Sequence, residues 1–248
     1  MSALAGPREV RAELLAPAEL DAALAASPVA YLPLGSLEYH GPHLPIGLDA
    51  LNAHGVCIAA AKHAGGIVLP PVYQGLGGGH TDYPWTVMMP TDTAVRQNLW
   101  ETLIRLEQFH IKAAMLFTGH FADEQLALVD EVAAAWNLQP DRAMHVHGTG
   151  VNRCDTAALP PDHAGAFETS LLYSFHPDLV HLDLLPAILE RPSIEPDGNP
   201  WGLHRHDSSH PLWGVFGPDP RAVDLSKAAE LSDALARWLA ALAHSRLP

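Results

Sequence analysis

Short apolar runs alternate with longer amphipathic segments along this chain. Four runs, residues 29–34, 67–72, 113–117 and 144–146, have the continuous apolar character of strands buried on both faces. Helical spacing predicts helices around these runs: within 8–26, at 49–62, 94–110 and 123–136, in a stretch that ends at Phe175, and at 226–242. This alternation predicts an α/β fold, a mostly parallel sheet with helices on both faces.

Length and composition favour one large domain. The chain has 248 residues, of which 48% are hydrophobic, so it can bury a substantial core, and we expect residues 1–248 to form a single domain. No apolar run approaches the roughly 18–20 residues that cross a bilayer, and the N-terminus carries charges where a signal peptide needs apolar residues. Cys57 and Cys154 are too few for a disulfide framework. We therefore predict a cytoplasmic protein with no membrane partner.

The charge balance restricts the class of partner. The formal net charge is −14 and the sequence contains no basic run, which argues against nucleic acid, because phosphate binding needs clustered Lys and Arg. The 16 histidines outnumber the 14 lysines and arginines together. Histidine in that excess suggests metal or proton chemistry.

The stretch from 31 to 49 concentrates potential metal ligands. Once the first apolar run has ended, Glu38, His40, His43 and Asp49 follow among Gly, Pro and small apolar residues. Glu38 and His40 stand two apart, so in an extended segment both side chains point the same way. A converging carboxylate and imidazole suit a divalent metal such as Zn, Mn or Fe. The alternative is a surface turn in which Glu38 caps the helix near Asp49 and the histidines are incidental.

Two later segments add further ligands. His120 follows the third predicted strand, at the carboxyl edge where open parallel sheets bind ligands. His163 and Glu168 lie near the start of the helix that ends at Phe175. Five helical residues would separate them by roughly 140°, so they can share a site if His163 precedes the helix proper.

Carboxylates and imidazoles from these three segments suit a two-metal hydrolytic site. A shared carboxylate would bridge the ions, and a hydroxide between them would be the nucleophile. The sequence contains no G-x-S-x-G elbow, and neither cysteine has a recognisable catalytic context, so nothing indicates a Ser or Cys nucleophile. A glycine-rich loop at 75–85 suggests a pocket wall, in which His80 and Trp85 either contact substrate or simply pack.

Four motifs in order resemble the creatininase (creatinine amidohydrolase) family, which also includes the mycofactocin-maturation peptidase and a formamidopyrimidine deformylase. LPLGSLEYHGPHLPIGLD at 32–49 is similar to the family's P-x-G-S-x-E-Q-H-G-x-H-L-P-x-x-T-D. TGH at 118–120, DHAGAFETS at 162–170 and GVFGPDPRA at 214–222 resemble its N-G-H, H-A-G-x-x-E-T-S and G-V-x-G-D-P-x-x-A. The resemblance spans about residues 28–224 and implies a three-layer α/β/α fold.

The resemblance also implies a ligand set for two divalent metal ions per chain. Glu38 would bind one ion, His40 the other, Asp49 would bridge them, and His120 would complete the first ion's ligands. It further implies a homo-oligomer, with a hexamer expected, whose pockets a neighbouring chain can complete.

The fifth ligand depends on a departure from the family pattern. Creatininase itself has a glutamate two residues after the N-G-H histidine, where this chain has Ala122. Glu168 is then the expected fifth ligand, and Glu124 is a weaker candidate further into the following helix. By the same resemblance His163 would be the general acid/base that protonates the leaving nitrogen, and Glu168 belongs with it to the catalytic set.

Other departures bear on the substrate. Tyr39 replaces the family's glutamine, and Phe121 and Trp85 alter the other loops, so creatinine itself is in doubt. Together with His80 these residues are candidate substrate contacts. We expect an amidohydrolase that cleaves a C–N bond in a small cyclic or linear amide. The alternatives are a peptidase that trims a short or modified peptide, a non-catalytic metal-binding scaffold, and a metal-dependent lyase or isomerase.

Overall fold

A four-stranded parallel sheet forms the centre of the computed structural model, which describes residues 9–79, 82–187 and 207–247. The strands are β1 (Val29–Leu34), β2 (Ile67–Val68), β3 (Ala113–Thr118) and β4 (His145–Gly150), in the spatial order β2-β1-β3-β4. Each adjacent pair is parallel. Along β1 and β3 every residue is buried, as expected for strands covered on both faces.

Helices cover both faces of this sheet. Within the described residues they are α1 (Pro17–Ala26), α2 (Leu48–Ala64), α3 (Thr93–Gln108), α4 (Asp123–Asn137), α5 (Ala166–Phe175) and α6 (Ala228–His244). One core joins alternate strand residues such as Tyr31 and Met115 to α2, α5 and α6. The other joins the intervening residues, such as Leu32 and Leu116, to α1, α3 and α4. The predicted α/β fold with helices on both faces is confirmed.

Two strands differ from their predicted extents. The predicted strand 67–72 shrinks to Ile67–Val68, with a single further bridge from Val72 to Leu34, because Pro70 and Pro71 between them have no N–H to donate. The predicted strand 144–146 extends instead to Gly150. Gly148 lies so close to α4 that a Cβ there would be 2.4 Å from the Val129 carbonyl oxygen, so this glycine packs the strand against the helix and does not open a loop.

The carboxyl ends of β1 and β3 lie side by side, and α2 begins between them. A Cβ on Gly35, just after β1, would lie 2.6 Å from the Asp49 carbonyl carbon, and one on Gly119, just after β3, would lie 2.0 Å from the Asp49 carbonyl oxygen. Glycine at both strand ends therefore lets the first turn of α2 sit against them. None of the helices in the described part of the chain is long and apolar enough to span a membrane.

Candidate metal centre

Five predicted ligands converge where the strand ends meet the first turn of α2, in two groups that share Asp49. The first group joins Glu38 and His120 to Asp49: His120 Nδ1 lies 3.1 Å from Glu38 Oε2 and 3.2 Å from Asp49 Oδ2. The second joins His40 and Glu168 to Asp49: His40 Nε2 lies 3.2 Å from Asp49 Oδ1 and 3.5 Å from Glu168 Oε2. The two carboxylate oxygens of Asp49 thus face one group each.

Backbone hydrogen bonds fix both imidazole rings so that a lone pair faces the carboxylates. His40 Nδ1 donates to the Glu38 carbonyl oxygen at 2.9 Å, and His120 Nε2 donates to the Leu76 carbonyl oxygen at 3.2 Å. In the neutral rings, His40 Nε2 and His120 Nδ1 then point lone pairs at carboxylate oxygens, which repels unless a proton or a metal ion lies between them. His40 Nε2 is buried and makes no hydrogen bond.

The charges of the centre also favour added positive charge, as protons or metal ions. Glu38, Asp49 and Glu168 are each at most 2% exposed, so their carboxylates are desolvated. Burial opposes the charged form of His40, yet Asp49 and Glu168 outweigh it and raise the pKa of His40 to about 10. Burial likewise opposes the charged form of His120, but the protonated ring would donate hydrogen bonds to Asp49 and Glu38, and this raises its pKa to about 10. The carboxylates therefore attract cations, and oxygen and nitrogen donors without thiolate suit Zn or Mn.

The two acidic residues that approach His40 Nε2 respond differently to burial. For Asp49, burial is outweighed by His40 and His120, which hold the pKa of this carboxyl well below its usual range. For Glu168, burial dominates and raises the pKa well above its usual range, despite the proximity of His40. Glu168 is therefore the ligand whose ionisation depends most on a cation beside it.

The Ser36 side chain links Asp49, the carboxylate common to both groups, to the end of β1. Its side chain is fully buried, and its Oγ donates to Asp49 Oδ2 at 2.6 Å and lies 3.5 Å from Glu38 Oε2. A hydroxyl that contacts Glu38 and Asp49 orients these two carboxylates without being a candidate ligand itself. Sequence reasoning missed this role, although Ser36 stands within the motif that carries Glu38.

His163 precedes α5 and faces the same site as Glu168. The helix begins at Ala166, and Ala164 takes a left-handed φ of 57°, so the backbone turns between the two side chains. The His163 ring stacks on His40 with centroids 4.4 Å apart, and its Nε2 donates to the Tyr39 carbonyl oxygen at 3.1 Å. In the neutral ring, Nδ1 is then the nitrogen that can accept a proton.

Asp162, which sequence reasoning did not single out, organises the start of α5. Its buried carboxylate accepts from the backbone N–H groups of Gly165, Phe167 and Glu168 at 3.1, 2.8 and 3.2 Å. Burial raises the pKa of Asp162 to about 7, although these N–H donors oppose the shift. The sequence signal that could have indicated this role of Asp162 was its position directly before His163.

A cavity of about 240 Å³ opens onto the centre. Its polar lining comes from Glu38, Asp49, His120, Asp162, His163 and Glu168, and its apolar lining comes from Phe121, Ala122, Pro161 and Phe216, with Gly78 between them. No lysine or arginine lines it among the described residues. Pro161 and Phe216 also line the cavity and were not predicted from the sequence. Their only sequence signal was their proximity to His163 and to the last motif.

The remaining predicted residues fall in different places. Phe121 lines the cavity, whereas Tyr39 points away from it and packs against Tyr83 and Trp213, with ring centroids 5.7 and 5.4 Å away. Trp85 is 81% exposed and is not among the lining residues described. His80 lies outside the described residues.

Two further candidate ligands, Glu124 and His43, contact segments around the centre but belong to neither ligand group. Glu124 Oε2 accepts from the Gly78 backbone N–H at 3.3 Å, so this carboxylate contacts the glycine loop. His43 is fully buried, and its Nε2 pairs with Thr169 Oγ1 at 3.3 Å, which links the ligand loop to the start of α5. Burial lowers the pKa of His43 to about 4, so it is neutral.

A family model described as creatinine amidohydrolase matches residues 13–243. The chain belongs to the creatininase family. It is 29% identical over 192 residues to the creatinine amidohydrolase of Pseudomonas putida, a match that covers 66% of this chain and 71% of that protein. It is 30% identical over 165 residues to a mycofactocin precursor peptide peptidase of Mycolicibacterium smegmatis, covering 64% of this chain and 62% of the peptidase, which is less than two thirds of it.

Solved structures show the same fold. A crystal structure of creatinine amidohydrolase (creatininase) matches with a TM-score of 0.73 and 21% identity, over 96% of this chain and 98% of that one. A manganese creatininase matches with a TM-score of 0.74 over 97% and 100% of the two chains, at the same identity. A mutant creatininase of Zn–Zn type matches with a TM-score of 0.72 over 97% and 99%, again at 21% identity. The creatininase-like fold and the predicted family are thereby confirmed.

Proposed function

We propose that this creatininase-family chain is a dinuclear metal-dependent amidohydrolase that cleaves a C–N bond in a small cyclic or linear amide. The observation that carries the proposal is the pair of buried ligand groups that share Asp49. Glu38 and His120 would hold one ion, His40 and Glu168 the other, and the ions would be Zn or Mn, the metals of the neighbouring creatininase structures. Iron suits the same donors.

Bound divalent ions would supply Lewis acidity and lower the pKa of water toward neutrality, so that water can attack an amide carbonyl. The chain's own residues supply the rest. His163, with Nε2 held by the Tyr39 carbonyl, would use Nδ1 to transfer a proton to the departing nitrogen. Asp162 holds the turn that carries His163 and Glu168, so it positions both. Phe121 and Phe216 form apolar walls that limit the water beside the reacting bond.

The size and charge of the cavity favour a small neutral or cationic amide. A volume of about 240 Å³ is below the range typical of drug-sized ligands. The described lining has no lysine or arginine that would pair with a peptide's terminal carboxylate. The flat, apolar surface of Phe121 suits a planar ring.

The second candidate is a peptidase that trims a short or modified peptide, which the mycofactocin peptidase relative favours. It differs from the first in how the substrate is recognised, because the same ligand groups would serve both reactions. A peptidase of this kind would cleave peptides and leave lactams and formamides intact.

The test is a screen of lactams, hydantoins, formamides and short peptides with the metal-loaded protein. We expect hydrolysis of a non-peptide amide, and loss of that activity in His163→Ala with both metals retained. The matched control is His63→Ala, which removes a half-exposed histidine paired with Asp233 far from the site. Cleavage of peptides alone would support the second candidate, and full metal binding without any hydrolysis would indicate a non-catalytic scaffold.

We also propose that the protein is cytoplasmic, that it acts as a homo-oligomer, and that its partner is a small-molecule amide and neither nucleic acid nor membrane. The net charge of −14 supports the exclusion of nucleic acid. Sedimentation of the purified protein measures the oligomeric state directly.

A further inference from the structure

A second group of chemistry-bearing side chains lies at the outer edge of the sheet, away from the metal centre. His145 and His147 stand two apart on the edge strand β4, so both side chains point to the same face. Their partners in β3, Ala113 and Met115, belong to the core that α6 covers, so this is the face toward α6. Arg246 follows the end of α6.

Two nitrogens in this group are buried without a partner. His145 Nδ1 and Arg246 Nε each make no hydrogen bond within the described residues. Buried polar atoms in native proteins are almost always hydrogen-bonded, and an Arg Nε–H can only donate. Arg246 Nε therefore fits an acceptor that the described chain does not supply, and His145 Nδ1 fits one in the tautomer or the cation that carries a proton there.

The charges around the group point to an anion. Beyond burial, the Arg246 guanidinium lowers the pKa of His145, and with His145 it lowers the pKa of His147 to about 4. The Asp130 carboxylate raises the pKa of His147 and so opposes this effect. Both of its oxygens, however, accept hydrogen bonds from Arg153, at 2.7 and 2.6 Å.

Arg246 also differs from most arginines of the described chain. Six of these are paired with a carboxylate: Arg11, Arg96, Arg142, Arg153, Arg221 and Arg237. In a protein of net charge −14, where carboxylates are abundant, an unpaired and partly buried guanidinium whose charge acts on two imidazoles is a local excess of positive charge and donors.

We propose that His145, His147 and Arg246 form a binding site for a small oxyanion, above all a phosphate group, either free or carried by a small molecule. The Arg246 Nε–H and an imidazole N–H would donate to its oxygens, the charge-assisted pairing in which guanidinium groups bind phosphate best. Bound oxyanion would satisfy the two buried nitrogens and stabilise the protonated form of the imidazoles, which the Arg246 guanidinium disfavours.

The test is a titration of the metal-loaded protein with inorganic phosphate at constant ionic strength, followed by NMR of the histidine rings. His145→Gln and His147→Gln identify the two resonances, so that phosphate binding at the metal centre, which would perturb other histidines, is separated from binding here. We expect saturable shifts at His145 and His147 and a rise in the pKa of His147. Arg246→Met should weaken this binding by about tenfold or more.

The matched control is Arg237→Met, which removes an exposed α6 arginine that is paired with Asp233. It should leave the titration unchanged. Tighter binding of phenyl phosphate than of inorganic phosphate would assign the site to phosphorylated molecules, and equal binding would assign it to the free anion. Shifts that do not saturate, or that Arg246→Met and Arg237→Met reduce equally, would show only general screening of charge and would overturn the proposal.

Discussion

Replacement of Ser36 by alanine tests how the shared metal ligand is held in place. The Ser36 hydroxyl donates to Asp49 Oδ2 at 2.6 Å in a fully buried setting, and it also approaches Glu38. Ser36→Ala removes one hydroxyl from the cluster and leaves each of the five proposed ligands in the chain. Any effect on metal binding therefore comes from ligand orientation.

The expected magnitude follows from the type of bond. A hydrogen bond to a charged group contributes roughly 1.5–3 kcal/mol, and burial protects this one from screening by water. At about 1.4 kcal/mol for each factor of ten, its loss corresponds to roughly 10- to 100-fold weaker metal binding. Removal of groups that orient ligands in other metal proteins weakens binding by the same factor, about 10–100-fold.

The assay is a competition titration of the metal-free protein with Zn or Mn against a chromophoric chelator. The matched control is Ser232→Ala, which removes another buried serine hydroxyl, one that donates to the Ala229 carbonyl oxygen at 3.1 Å on α6. Ser232→Ala should bind metal as the wild type does. If Ser36→Ala binds both ions with wild-type affinity, the inference that this hydroxyl organises Asp49 is wrong.

Three further substitutions separate the roles of residues around the cavity. His163→Ala should lower kcat by about 10²–10⁴-fold in a steady-state assay with the substrate found in the screen, because the proton donor is lost, and unchanged kcat would refute that role. Glu168→Gln should lose one ion, measured by elemental analysis. Glu124→Gln should keep both ions, because Glu124 contacts Gly78 and belongs to neither ligand group. The reverse result would make Glu124 the fifth ligand. Gly78→Ala should lower the free energy of unfolding by about 1–2 kcal/mol in a denaturant titration, because φ at this position is 83°, in the left-handed region that L side chains rarely adopt; unchanged stability would contradict it.

The convergence of the proposed ligands was predictable from the sequence because they lie at positions with strong local signals. Glu38 and His120 follow buried strands, and the carboxyl ends of adjacent parallel strands meet at one edge. Asp49 stands at the start of a helix between them, and the structure brings these residues together. The strand boundaries were less predictable, since Gly148 and Gly150 have turn-forming character and belong to β4 only because α4 packs closely over them.

Contacts between segments that are distant along the chain could not be predicted from the sequence. The bond from Ser36 to Asp49 spans thirteen residues, and the contact of Glu124 with Gly78 spans forty-six. Tyr39 was predictable in part: if Glu38 and His40 point the same way in an extended segment, the residue between them points away from the cavity. Trp85 is a candidate from sequence because it ends the glycine-rich loop and departs from the family pattern, but the exposure of its side chain depends on the tertiary structure.

The measurement that tests the central claim most directly is the elemental metal content per chain of wild type and of Asp49→Ala, purified side by side. Asp49 faces both ligand groups, so we predict about two ions in the wild type and a clear loss in the variant. Asp130→Ala, which removes a carboxylate paired with Arg153 outside the centre, should retain both ions. Two ions in Asp49→Ala, or none in wild type after reloading with Zn or Mn, would contradict a dinuclear centre that shares this carboxylate.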